Sequence, residues 1–111
     1  MIRAALLGLI LTLTACVEVQ QAADTAGRNT AKRAVTEALF VRFPQVPKEL
    51  TSVFTDCIID NATGAEIAAL AQDAVVGVDD ETVTTIKTVL ARPQTARCLT
   101  TAAPAAAALS Y

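Results

Sequence analysis

The chain has 111 residues, a formal net charge of −2, no histidine and four glycines. Without histidine it can form neither a Ser-His-Asp triad nor a Cys-His pair, and no glycine-rich phosphate loop or dinucleotide-binding fingerprint is present. The acidic balance also disfavours nucleic-acid binding. Aromatic residues make up only 4% of the chain, so Ala, Val, Ile and Leu must supply the core of one small domain.

An uncharged apolar segment opens the chain. Arg3 provides a positive charge, and the eleven residues from Ala4 to Thr14 carry none. That length suits the hydrophobic region of a signal peptide and is shorter than the roughly 18 to 20 residues of a transmembrane helix. Glu18 ends the apolar run. We therefore predict an export signal at the N-terminus rather than a membrane span.

The tetrapeptide Leu13-Thr14-Ala15-Cys16 resembles the lipobox of bacterial lipoproteins. The resemblance implies that residues 1–15 are a lipoprotein signal peptide cleaved after Ala15. It also implies that Cys16 carries diacylglycerol on its sulfur and an acyl chain on its new amino group, and two or more chains anchor a protein stably to a membrane. Residues 16–23 would be the lipidated N-terminus and tether. Val17 after the cysteine favours the periplasmic side of the outer membrane over the inner membrane. The alternative is that Cys16 follows a signal peptide by chance.

Two cysteines, Cys57 and Cys98, remain once Cys16 is assigned to lipid. In an oxidising compartment we expect them to form a disulfide. It would close a loop of about 40 residues and stabilise the fold by about 4 kcal/mol in the chain-entropy model. The alternative is two unpaired thiols in the core. The chain has neither a C-x-x-C motif nor a four-ligand set, so we predict no metal site, no cofactor and no catalytic residue.

The first half of the domain reads as two helices separated by prolines. Apolar residues recur at helical spacing in two stretches, and Pro44 and Pro47 between them predict an extended connector. In the first stretch the predicted buried residues are Ala31, Ala34, Val35, Ala38, Leu39 and Phe43. In the second they are Leu50, Val53, Phe54, Cys57 and Ile58.

The second half carries the signals of helix ends. Thr63 and Glu66 have the spacing of a capping box, and Gly77 is a candidate for a left-handed stop. Asp79 is a good N-cap for the next helix, and Pro93 suits the first turn of a last one that carries Cys98. Inner faces are predicted at Ile67, Leu70, Ala71, Ala74 and Val75 and then at Val83, Ile86 and Leu90.

Together these elements predict an all-α domain over residues 24–103, a small bundle of four or five short helices with one disulfide. The second and last helices would be joined by that disulfide. The Ala-rich residues 104–111 are predicted to be a disordered tail.

Three groups of polar residues could be mistaken for sites. Asp56 and Asp60 stand four residues apart on one helix, without a third ligand in view. The acids of residues 79–81 are explained by capping and by the helix dipole. Asn61-Ala62-Thr63 matches the N-glycosylation triplet, but Thr63 already has a capping role. We interpret all three groups as structural.

From Ala31 to about Cys98 the pattern "AKRAV…FP…DCIIDNA…EI…LA…RP…C" is similar to short lipoproteins of alphaproteobacteria that have no established activity. Some of those proteins carry the name succinate dehydrogenase. A flavin-linked dehydrogenase needs a nucleotide-binding fold or cluster ligands, and neither is found in this sequence.

Three hypotheses of function follow. The first is a non-enzymatic envelope protein that is held to a membrane by the lipid on Cys16 and acts through its helical faces. The second is an accessory subunit or inhibitor of a larger envelope complex, such as a respiratory one, with an unknown protein partner. The third is a small hydrolase or redox enzyme, which the absence of histidine disfavours.

Overall fold

The computed structural model describes residues 24–109 and Tyr111. Every regular element in this part of the chain is helical, which confirms the all-α prediction. Helix α1 covers residues 24–42. It is followed by α2 (Thr51–Asn61), α3 (Gly64–Val76), α4 (Asp80–Leu90) and α5 (Pro93–Ala102), and by short 3-10 helices at Lys48–Leu50 and Pro104–Ala108. The predicted signal peptide, Cys16 and the tether lie outside the described residues.

The helices of the described part are too short or too polar to cross a bilayer. Their ends follow local chemistry. The chain leaves α1 at the predicted proline connector, where Pro47 has an extended conformation (φ −61°, ψ 144°). Helix α5 begins at Pro93, as its sequence predicts, because proline lacks the N–H that the first helical position leaves unpaired anyway.

The junction between α3 and α4 is built from one glycine and one threonine. Gly77 has the positive φ predicted for it (112°), but its ψ of 152° lies in an extended region open essentially to glycine rather than in the left-handed helical region. Asp79 caps α4 by accepting the backbone N–H of Thr82 at 3.0 Å. The Thr82 hydroxyl accepts the Asp79 N–H at 3.1 Å and donates to Asp73 Oδ2 at 2.7 Å, so it ties α4 to α3.

Helices α1 and α2 supply most of the core, on the faces that the sequence predicts. All six predicted positions of α1 and its exit are at most 1% exposed, and Phe54, Cys57 and Ile58 of α2 are at most 2% exposed. Ile59 of α2 is also fully buried, and Leu50 and Val53 pack at the edge of the core. From the other elements the core receives Leu70, Ile86, Val89, Leu90 and Leu99.

Helix α3 buries much less. Leu70 is its one fully buried residue, and Ile67 and Ala71 are partly buried. The prediction that Val75 lies on the inner face is wrong, because its side chain is 81% exposed. Five residues correspond to about 500° of helix rotation, so Val75 points about 140° away from Leu70.

The prediction of a disordered tail at residues 104–111 is also wrong. Pro104–Ala108 forms a 3-10 helix, and Ala106 is 1% exposed within the core cluster. Leu109 packs against the same cluster, and the Tyr111 ring meets the Phe54 ring edge-on at 5.6 Å between centroids. Alanine suits this place because its small side chain fits against a core that is already filled.

The packing of the C-terminal 3-10 helix against the core can be tested by substituting two adjacent alanines. Ala106→Glu should lower the free energy of unfolding by about 3 kcal/mol or more, because it places a carboxylate in the core. Ala105→Glu, on the exposed side of the same 3-10 helix, should change it by less than about 0.5 kcal/mol. Urea denaturation followed by circular dichroism measures both. Equal, small effects would mean that the tail does not pack.

Two fully buried threonines give a second test. Thr95 Oγ1 has no hydrogen-bond partner among the described residues, whereas Thr82 Oγ1 has partners on both sides. Thr95→Val should therefore stabilise the domain by about 1 kcal/mol, which raises Tm by about 4–8 °C. Thr82→Val should destabilise it by about 1–3 kcal/mol. The two substitutions are chemically identical, so a shift of Tm in the same direction for both would contradict this account.

Candidate functional site

The most connected polar group of the described chain lies where α2 ends and where α3 and α5 begin. We call Asn61, Thr63, Glu66 and Arg92 the polar corner. Arg92 Nη1 and Nη2 donate to Glu66 Oε1 and Oε2 at 2.7 and 2.8 Å, the forked geometry that suits guanidinium and carboxylate. Arg92 Nη1 also donates to the Asn61 carbonyl at 2.8 Å. One side chain thus joins the ends of three helices.

Local sequence places each member of the corner. Thr63 and Glu66 form the predicted capping box: the Thr63 hydroxyl accepts the Glu66 N–H at 3.2 Å, and Glu66 Oε1 accepts the Thr63 N–H at 2.8 Å. Arg92 is the N-cap residue of α5, and the following Pro93 favours the extended conformation that it adopts. Its side chain can therefore turn back over the start of α3.

The corner is half-buried, which strengthens its electrostatics. The side chains of Arg92 and Glu66 are 28% and 18% exposed. Hydrogen bonding from Arg92 is the largest influence on Glu66 and lowers the pKa of its carboxyl below the ordinary 4.5, against the opposing effect of burial. The same bond raises the pKa of Arg92. Glu66 is therefore a carboxylate at neutral pH, with both oxygens engaged.

The disulfide lies next to this corner. Cys57 of α2 and Cys98 of α5 are bonded, as predicted, with their Cα atoms 5.7 Å apart. Cys57 is 2% exposed and Cys98 is partly buried. The side chain of Asn61 donates to the Cys57 carbonyl at 2.8 Å, so hydrogen bonds continue from the disulfide residue to Arg92.

A surface groove of about 460 Å³ opens beside the corner. Its lining is mostly small or aliphatic, with two charged side chains from the first turns of α1: Asp24, Gly27, Arg28, Ala62, Gly64, Ile67 and Ala68. Arg28 is engaged with Asp60 at 2.7 Å. Small side chains on both walls leave the space open.

The described residues offer little for acid–base or metal chemistry at this place. No three of their His, Cys, Asp and Glu side chains are grouped as metal ligands would be. The carboxylate of Glu66 is held by Arg92 and Thr63, and Cys57 and Cys98 are bonded to each other. The arrangement is suited to holding helices together.

The other acidic candidates have structural partners. Asp56 accepts from Lys32 at 2.9 Å and Asp60 from Arg28 at 2.7 Å, so both tie α2 to α1. Their side chains are about 60% exposed, and pairs of this kind contribute at most about 1 kcal/mol each.

The acids of residues 79–81 serve the start of α4. Hydrogen bonds from the backbone and hydroxyl of Thr82 lower the pKa of Asp79, the cap. Asp80 pairs with Arg42 at the end of α1. In the Asn61-Ala62-Thr63 triplet, Asn61 and Thr63 both belong to the polar corner.

Sequence reasoning missed Arg92 as a member of this site and Thr82 as a connector. Arg92 was visible only as a residue before proline, and its partner Glu66 lies 26 residues away. The single local signal for Thr82 was its position three residues after the Asp79 cap.

Comparison with known proteins adds no relative: no family model, curated protein or solved structure matches this chain.

The contribution of the disulfide to stability can be measured directly. Reduction, or the double variant Cys57→Ala/Cys98→Ala, should lower the free energy of unfolding by about 2–4 kcal/mol, because the closed loop restricts the unfolded chain. Urea denaturation with and without reductant measures the loss. Reductant should leave the double variant unchanged, and a wild-type midpoint that reductant does not move would contradict a bond between the two sulfurs.

Proposed function

We propose that this chain is an exported bacterial protein, anchored by lipid on Cys16 to the periplasmic side of an envelope membrane, most simply the outer one. Its role is structural or depends on protein contacts rather than catalysis. The leader and the Leu13-Thr14-Ala15-Cys16 pattern support the anchor. Two or more acyl chains are enough to hold a small domain at a membrane.

One structural observation carries the proposal. The two cysteines that remain beside Cys16 meet as the Cys57–Cys98 disulfide, which joins α2 to α5. Disulfides persist in oxidising compartments such as the periplasm and are rare in the cytosol. Of the three cysteines, Cys57 and Cys98 are thus bonded to each other, and Cys16 is the one proposed to carry lipid.

A non-catalytic role is supported by how the polar groups are used. The chain has no histidine. The charged groups of the polar corner, Glu66 and Arg92, bond to each other and hold helix ends together. The described surface instead includes an uncharged, mostly apolar face on α3. The residues that α3 turns outward are uncharged and exposed: Ala65, Ala68, Ala69, Gln72, Val75 and Val76.

The same face supports a second candidate, an accessory subunit or inhibitor of a larger envelope complex. Val75 and Val76 are 81% and 71% exposed, and a helix that is apolar on both sides is usually covered on both sides. A protein partner would supply that cover. The two candidates differ in whether a stoichiometric partner exists.

The anchor is tested by Cys16→Ala in a bacterial host, with Cys57→Ala/Cys98→Ala as the matched control. Cys16→Ala should appear in the soluble fraction without acyl mass, because alanine has no sulfur to which the lipid can be attached. The double variant should stay in the membrane pellet, and its intact mass should still include the lipid and lack residues 1–15. Cys16→Ala found in the membrane pellet, or wild type with its leader uncut and no acyl mass, would overturn the anchor.

The second candidate is tested by gentle solubilisation and crosslinking of the wild type, Val75→Glu and Thr84→Glu. A subunit should copurify one-to-one with a partner that Val75→Glu loses, because a carboxylate in an apolar contact is costly. Thr84→Glu, on the exposed side of α4, should keep it. An uncrosslinked monomer in all three samples would favour the first candidate.

A further inference from the structure

Helix α3 is held to its neighbours by few buried apolar contacts and by hydrogen bonds from its two acidic residues. Its single fully buried residue is Leu70. Apolar burial therefore stabilises it less than α2, which buries four apolar side chains. Glu66 in its first turn bonds to Arg92 of α5, and Asp73 near its end accepts from Thr82 of α4. These two carboxylates are the only charges on the helix, and both make bonds to neighbouring helices.

The neighbouring helices are held independently of α3. The Cys57–Cys98 bond joins α2 to α5, and both helices contribute to the common core through Phe54, Ile58 and Leu99. If the Glu66 end of α3 came loose, this core would keep its covalent tie. Helices with few buried apolar contacts are the ones that open locally below the free energy of global unfolding.

We propose that α3 is an acid-releasable helix: protonation of Glu66 breaks its forked ion pair with Arg92 and opens the N-terminal half of α3, while the disulfide keeps α2 and α5 together. The step is one proton added to the Glu66 carboxylate. Arg92 keeps its charge and its bond to the Asn61 carbonyl, and the capping box loses its charged acceptor. Opening exposes Ile67 and Leu70.

Among the charged groups around the polar corner, Arg92 is the one that determines how Glu66 responds to pH. Arg92 is the one charged residue that acts on the Glu66 carboxyl, whose pKa it lowers below 4.5. Arg28 is occupied by Asp60. The other charged side chains of the surrounding helices are Asp24, Lys32, Arg33, Glu37 and Arg42 of α1, Asp56 and Asp60 of α2, Asp73 of α3, Asp80, Glu81 and Lys87 of α4, and Arg97 of α5. Lys32 is paired with Asp56 and Arg42 with Asp80, and Asp73 accepts from Thr82.

The sign of the pH dependence follows from that lowered pKa. The ion pair stabilises α3 fully above the ordinary pKa of 4.5, because the carboxyl is ionised in both the closed and the open state. The stabilisation falls as the pH drops through the lowered pKa of the closed state, because the open state binds the proton more tightly. Opening of the N-terminal half of α3 is therefore expected in acid, below about pH 4.5.

Native-state hydrogen exchange, corrected for intrinsic rates, tests the proposal on the full chain between pH 7 and about pH 3. In the wild type the amides of the first half of α3 should lose protection on acidification, by at most about 30-fold at pH 3, because that is the limit for one carboxyl whose open-state pKa is about 4.5. The amides of α2 and α5 beside the disulfide should keep theirs over the same range.

Glu66→Gln separates the charge from the cap, because Gln also completes a capping box. It should show the reduced α3 protection already at pH 7 and no further loss towards pH 3. Asp60→Asn breaks the exposed pair with Arg28 and should leave the α3 response like wild type. The proposal is overturned if α3 opens only with the whole domain, or if Glu66→Gln keeps the acid response of the wild type.

Discussion

The bond between Cys57 and Cys98 is the constraint on which the rest of the described fold depends. It fixes α5 against α2 and closes a loop that contains α3 and α4. A domain with so few aromatic residues has little other means of holding its last helix, because alanine side chains bury little apolar area. With α5 fixed, Arg92 at its start comes within reach of Glu66, and the 3-10 helix after its end can return Ala106 to the core.

Polar bonds in this protein join helices that apolar burial alone holds weakly. The interior between α1 and α2 is mainly apolar, with one part-buried hydrogen bond between the hydroxyls of Thr36 and Thr55. Their ion pairs lie at the exposed edge, where they contribute little. Around α3 the distribution is reversed: its two acids turn inward to Arg92 and Thr82, and its outer face is uncharged. A half-buried forked pair is worth more than an exposed one. Because this pair depends on the charge of the Glu66 carboxylate, a single protonation can remove it.

The sequence predicted what local chemistry decides. Capping residues, the prolines and the helical spacing of apolar residues predicted four or five helices, and the described residues form five. The cysteine count predicted the disulfide. The failures concern tertiary packing. The Ala-rich tail packs because its alanines contact the core, a tertiary contact that no local sequence pattern indicates. Val75 points outward because α3 contacts the bundle along a narrow line. The Glu66–Arg92 pair spans 26 residues, and one sequence carries no signal for a contact at that distance.

The stability of the fold and the proposed location of the protein constrain each other. A domain of this size is stable by about 5–15 kcal/mol, and a disulfide closing a loop of about 40 residues accounts for about 4 kcal/mol of that. In a reducing compartment the domain would lose that share, and α5 would be held only by noncovalent contacts, among them the buried Leu99 and the polar corner. Disulfides persist in oxidising compartments and are rare in the cytosol. The proposed export of the chain would therefore place the domain where the Cys57–Cys98 bond is maintained.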